Sequence, residues 1–271
     1  MSCPRCAEGC ILPGDPKGAI QSGFAGAYLA TPSNGPTESK RAVLLLTDVF
    51  GLPNKNCKLI ADEVAEKLQC HVWIPDYFDG QPPFALDGMN MPTRPDEPVT
   101  TWMWLQFFVW RVLPRLKNLL WTNRASAVDA RVTSFIALLK EKKGYEKLGI
   151  FGYCFGGTTA IRFAATDLIQ SVVICHPGPF SLPQIQAIRV PASWVCAEVD
   201  AFMPDALKLQ SEAELASRKD TDKFVEYEFV DYKGTTHGFA IRPDIRYPDI
   251  VEAQKRSVDQ IAAWFDKTLL V

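Results

Sequence analysis

Gly152-Tyr153-Cys154-Phe155-Gly156 is the stretch from which the fold can be read. An apolar run, Leu148-Gly149-Ile150-Phe151, precedes it, and Gly157-Thr158-Thr159-Ala160-Ile161 reads as a helix after it. A strand, a sharp turn and a helix, with glycines either side of a nucleophilic side chain, lift a reactive atom to the carboxyl edge of a sheet. The nucleophile here is Cys154, where serine is more usual. The glycines are required because the turn leaves no room for side chains beside the nucleophile. The turn also sets the thiol at a helix N-terminus, where partial positive charge favours an anionic sulfur.

The flanking sequence supplies the rest of such a sheet. Residues 42–47 (AVLLLT) form an unbroken apolar run, the pattern of a strand buried on both faces, and residues 71–75 form a second. Residues 54–69 carry Leu59, Ile60, Val64, Ala65 and Leu68 at helical spacing, and residues 126–143 do the same through Val128, Val132, Phe135, Ile136 and Leu139. A leading strand is expected at 27–30. Further strands are expected at 171–175, 193–197 and 224–230, and helices at 205–218 and from 249 to about 269. Strands alternating with helices predict an α/β fold, a mostly parallel sheet with helices on both faces. No repeat or linker divides the sequence, so a single domain over residues 1–271 is expected.

One segment breaks the alternation. Residues 77–124 hold Pro82, Pro83, Pro92, Pro95, Pro98 and Pro114, and Trp102, Trp104, Trp110 and Trp121 are four of the seven tryptophans. Insertions of this length are usually lids or binding loops. It follows the second buried strand, so it is expected to cap the carboxyl edge, with Trp102 and Trp104 lining the site.

The 271 residues are 47% apolar and 22% charged, enough for one large core, and the net charge of −2 with a pI near 6.0 argues against a nucleic-acid partner. No signal peptide is visible behind Met1, and the cytosol is the expected location. The most apolar stretch, Trp102 to Leu113, is interrupted by Gln106 and Arg111 and is too short to span a bilayer, so no membrane partner is expected. The eight cysteines are expected to stay reduced, with Cys70, Cys175 and Cys196 as buried filler. Cys3, Cys6 and Cys10 cluster but lack a nearby fourth ligand, so no metal is assigned.

A thiol nucleophile needs a base and an acid that orients the base. There are three histidines. His71 opens a strand and reads as structural. His176 ends a strand and can approach the site edge. His237, in Thr235-Thr236-His237-Gly238-Phe239, lies between the last strand and the last helix, where the base of an α/β-hydrolase falls. The acid belongs after an intervening strand, and Ala197-Glu198-Val199-Asp200 offers Asp200 ahead of Glu198. The oxyanion donors are expected to be the amides of Phe155 and of Val49 or Phe50.

These residues resemble the dienelactone hydrolase family. G-Y-C-F-G-G, the aspartate at 200 and H-G-F at 237 carry the likeness. Thr47-Asp48-Val49-Phe50-Gly51 and Val72-Trp73-Ile74-Pro75-Asp76 extend it, so that it covers residue 20 onward, and the opening Met1-Ser2-Cys3-Pro4 is similar to fungal members. The resemblance implies an α/β-hydrolase fold, a Cys154-His237-Asp200 triad, no cofactor, and cleavage of activated ester or lactone bonds through a thioester. It places Asp48 where bacterial members carry a glutamate that meets the resting nucleophile. Arg242 stands nearest to the arginine that binds a substrate carboxylate. The aromatic insertion argues for an apolar or aromatic small-molecule substrate, such as a fungal polyketide; the expected state is a monomer or homodimer. The rival readings are a non-hydrolytic cyclase or binding scaffold in a biosynthetic pathway, and a redox-sensing thiol.

Overall fold

Apolar residues in consecutive positions along the central strands send alternate side chains to opposite faces, and this builds two core layers. The structure, a computed structural model, describes residues 11–35, 39–85, 93–97 and 100–271. In chain order the elements are β1 (Ala19–Gln21), β2 (Ala27–Ala30), β3 (Arg41–Leu46), α1 (Lys55–Leu68), β4 (His71–Ile74), α2 (Thr101–Phe107), α3 (Ala125–Lys143), β5 (Lys147–Cys154), α4 (Phe155–Phe163), β6 (Ser171–Pro177), α5 (Leu182–Gln186), β7 (Ala192–Val199), α6 (Asp205–Ala216), β8 (Tyr227–Thr236) and α7 (Pro248–Thr268).

The strands form one sheet in the order β1-β2-β4-β3-β5-β6-β7-β8. β1 and β2 are antiparallel to their neighbours and the rest are parallel. Val43 and Leu45 of β3 join one layer, with α1 and α7; Ala42, Leu44 and Leu46 join the other, with α3 and α4. Helices therefore cover both faces, as expected of an α/β-hydrolase fold. Each large apolar side chain fully buried in these layers stabilises the fold by roughly 1.5–3 kcal/mol, and Trp73, Trp194, Phe151 and Phe265 are among them.

Helix α1 begins at Asn54, whose side chain accepts from the Asn56 amide, and ends at Gln69 in the left-handed conformation. Helix α7 lies close against β5 because position 149 is glycine: a Cβ there would stand 2.6 Å from the side chains of Phe265 and Leu269.

The largest difference from expectation is at β8. It is displaced C-terminally from 224–230 and continues to Thr236, in register with β7 from Ala192↔Tyr227 to Val199↔Thr236. β8 is the edge of the sheet. An edge strand tolerates the polar sequence Asp231-Tyr232-Lys233-Gly234-Thr235-Thr236, which reads as a loop. Its real end is directly before His237. The metal reading of Cys3, Cys6 and Cys10 falls outside the described residues, and among the described residues no cluster of ligating side chains is present.

Candidate active site

β5 runs straight into α4, and Cys154 is the residue at the junction. Its backbone is at φ 52°, ψ −112°, a conformation that residues with a Cβ rarely adopt. The surrounding glycines make the turn possible. A Cβ at Gly152 would lie 2.2 Å from the Gly156 carbonyl oxygen, and one at Gly156 would lie 2.1 Å from the Leu46 carbonyl oxygen. Backbone hydrogen bonds hold the strained junction: Gly156 N–H donates to Thr47 O at 3.0 Å, and Gly178 N–H to Cys154 O at 2.8 Å. Cys57, Cys70, Cys175 and Cys196 are buried, and burial pushes each of these thiols up; Cys154 is the one described cysteine that is only partly covered.

His237 and Asp200 meet at the same edge. His237 Nδ1 lies 2.8 Å from Asp200 Oδ2, and the Asp200 side chain is buried. The other Asp200 oxygen accepts from the Phe202 amide at 2.9 Å, which fixes the carboxylate. Glu198 is engaged elsewhere. It accepts from Gly234 N–H at 2.7 Å and pairs with Lys233, and the Gly234 amide pulls its carboxyl below the usual range. Burial alone would lower the His237 pKa, but the neighbouring charges of Cys154 and Asp200 outweigh it and raise it to about 10. Cys154 therefore lies close enough to couple electrically to the imidazole. The outward nitrogen, His237 Nε2, still makes no bond of conventional geometry. Such bonds commonly close only when substrate is bound.

A second histidine adjoins this pair. His176 is fully buried, sits at φ 31°, and neither ring nitrogen has a hydrogen-bond partner. Its ring packs edge-on to His237 at 5.0 Å between centroids and also against Tyr153 and Phe239. Phe202 packs on His237 at 5.0 Å as well. Burial, then the charge of His237, hold the His176 pKa well below its ordinary value, so this ring is neutral. The strand-end position of His176 was legible in the sequence, but its left-handed backbone, which turns the ring under His237, was not.

Asp48 is fully buried and accepts from Phe50 N–H at 3.2 Å, from Asn54 Nδ2 and from Arg242 Nε at 3.1 Å. Burial raises its pKa, and Arg242 opposes the rise. Arg242 is held in the site rather than free at the surface. It is 17% exposed as half of this ion pair, with its guanidinium 4.7 Å from the Phe50 ring centroid. The Phe50 amide is already engaged by Asp48.

The tryptophan wall expected over the nucleophile is not seen at Trp102, which is 63% exposed. The Trp104 side chain lies outside the described part of the structure. The rings packed on Phe155, next to the nucleophile, are Tyr77 and Phe78 from the root of the insertion, at 6.4 and 5.3 Å between centroids. Tyr77 also donates to the Thr47 carbonyl at 2.5 Å. Only their position directly after the Pro75-Asp76 pair signals this role.

Known proteins resemble this chain in sequence and in fold. The sequence profile of the dienelactone hydrolase family matches residues 25–269. "Hydrolase pyvD" of Aspergillus violaceofuscus is 27% identical over 97% of this chain and 96% of that protein. The human "carboxymethylenebutenolidase homolog" is 24% identical over 87% of this chain and 85% of its own length. Among solved structures, a dienelactone hydrolase from Anabaena variabilis superposes with a TM-score of 0.57 at 13% identity, covering 94% of this chain and 99% of that one. An esterase from Pyrobaculum calidifontis gives 0.53 at 16% identity, covering 96% and 87%. The likeness to both structures is one of fold.

Proposed function

The chain belongs to the dienelactone hydrolase family and is an ester or lactone hydrolase of that type, and we propose that it cleaves its substrate through a thioester on Cys154. The observation that carries this reading is the buried Asp200–His237 pair, 2.8 Å long, with Cys154 held at the strained strand–helix junction.

In the first step the Cys154 sulfur bonds to the ester carbonyl carbon, and the carbonyl electron pair moves onto oxygen. The amides of Phe155 and Val49 hold that oxyanion. As the carbonyl re-forms, the alkoxide or enolate leaves and takes a proton from His237 Nε2, so a thioester remains. Water then gives a proton to His237 and adds to the thioester carbonyl, and the sulfur departs as thiolate. Asp200 stays ionised throughout and keeps the Nδ1 proton in place, so that Nε2 faces the sulfur.

A thiolate leaves readily, so acylation is the harder half of the cycle for an unactivated ester. This favours strained lactones, enol esters and thioesters. Phe202, 36% exposed and packed on the His237 ring, offers an accessible apolar surface beside the base and favours an apolar or aromatic acyl group. Arg242 is already paired with Asp48, so a substrate carboxylate would have to displace Asp48, and the reading favours a neutral substrate.

A panel of lactones and aryl esters, assayed with wild type and Cys154→Ala, tests the reading. Turnover of at least one lactone or aryl ester that disappears with the thiol supports it. Full turnover in Cys154→Ala contradicts it.

A further inference from the structure

Residues 100–124 leave the sheet at the edge that carries Cys154 and return to it through α3. α2 is followed by consecutive helical turns at Phe108–Val112, Leu113–Arg115 and Asn118–Thr122. The C-terminal end of the segment is tied down. Asn118 and Asn123 both donate to the Gln81 carbonyl, and Arg131 donates to Asn123 Oδ1. Its middle touches the body of the protein through Arg115, whose guanidinium lies 5.8 Å from the Phe84 ring centroid, and leaves its large apolar side chains exposed.

Trp102, Leu105, Val109, Leu113, Leu116 and Leu120 recur every three or four residues, and all are exposed. Trp110 and Trp121 add 71% and 68% exposed indole rings. An apolar surface of this extent on a soluble chain marks a contact site.

The charge of the segment indicates the partner. Arg115, Lys117 and Arg124 lie within it, and it contains no aspartate or glutamate, although the chain as a whole carries −2. Two copies of this segment meeting face to face would bring together like charges with no carboxylate between them. A surface that is apolar below and anionic at its rim satisfies both features. Tryptophan and leucine with interspersed lysine and arginine is the composition of segments that lie in a lipid interface without crossing it. No helix among the described residues is long and apolar enough to cross a membrane.

We propose that residues 100–124 dock this enzyme on an anionic lipid surface, with the exposed indoles in the headgroup region and the cations at the phosphates. The proposal runs against the expectation of no membrane partner. The proposal does not depend on the thioester reading.

The tryptophans themselves serve as the probe. Trp73, Trp194 and Trp264 are buried, so quenching by brominated lipid reports the insertion. Vesicles of phosphatidylcholine with about three-tenths phosphatidylglycerol should quench and blue-shift the wild-type emission, and neutral phosphatidylcholine vesicles should bind about tenfold less. Salt at about 0.5 M should release the protein. Trp121→Ser with Leu120→Ser, and separately Lys117→Glu, should weaken vesicle binding about tenfold, with circular dichroism and hydrolysis of a short soluble ester unchanged. Absence of quenching with anionic vesicles would overturn the proposal without any variant. So would a wild-type dimer that the Trp121 and Leu120 substitutions dissociate, which would assign the surface to a second copy of the chain.

Discussion

The β5–α4 elbow and residues 100–124 lie at the same edge of one sheet and are built on opposite terms. At the elbow, glycines at 152 and 156 leave no space for a Cβ, backbone hydrogen bonds hold Cys154 at a strained φ, and Asp200, Phe202 and His176 fix His237 from three sides. In the insertion, indoles and leucines face water and hydrogen bonds gather at its C-terminal end. The elbow gains its order from within the fold and is ready for reaction before substrate arrives. The apolar side chains of the insertion are exposed, and the proposed lipid surface would cover them.

The contrast breaks or sharpens under substitution. The largest effect is expected at the base. His237→Ala should lower kcat/KM by about a thousandfold or more, since the sulfur and leaving group lose their proton carrier. Retention of activity would remove the elbow from the chemistry. Asp200→Asn should cost about a hundredfold or more by releasing the imidazole tautomer, whereas Glu198→Gln, whose carboxylate serves Gly234 and Lys233, should stay within about threefold. The reverse result would move the acid to Glu198.

The coupling of charges gives a titration. His237 should titrate near pH 10 in wild type when followed by NMR of its ring. In Cys154→Ala the largest upward influence is gone, so the pKa should fall. Because the shift is upward, the ring is protonated at neutral pH in the resting enzyme and loses its proton only as pH rises through that value. An unchanged pKa in the variant would show that sulfur and imidazole are not coupled. His176 should remain neutral at pH 6 in the same experiment.

The smallest effect is expected at His176→Phe. If the ring acts only by packing on His237, phenylalanine should keep kcat/KM within about threefold. It should also raise stability by about 1 kcal/mol, because two buried nitrogens without partners are removed. A large loss of activity with the fold intact would mean that those nitrogens take part.

The elbow was legible in the sequence because its constraints are local. Two glycines, a nucleophile and an apolar strand lie within a few residues, and Asn54 capping α1 is equally local. The order nucleophile, Asp200, His237 followed from topology. What was hidden depends on distance or on edges. The Asp48–Arg242 ion pair joins residues 194 positions apart. The polar half of β8 is a strand only because β7 pairs with it. The exposure of Trp102 and the turn of the His176 ring are set by tertiary packing, on which apolar composition is silent.

The most direct test is to react the enzyme with an aryl ester or lactone that it turns over, quench in acid within one turnover, and map the peptides by mass spectrometry. The predicted result is the acyl mass on the peptide that carries Cys154, as an acid-stable thioester cleaved by hydroxylamine, with Cys57, Cys70, Cys175 and Cys196 unmodified. An acyl group on another residue during turnover, or undiminished turnover in Cys154→Ala, would contradict the account.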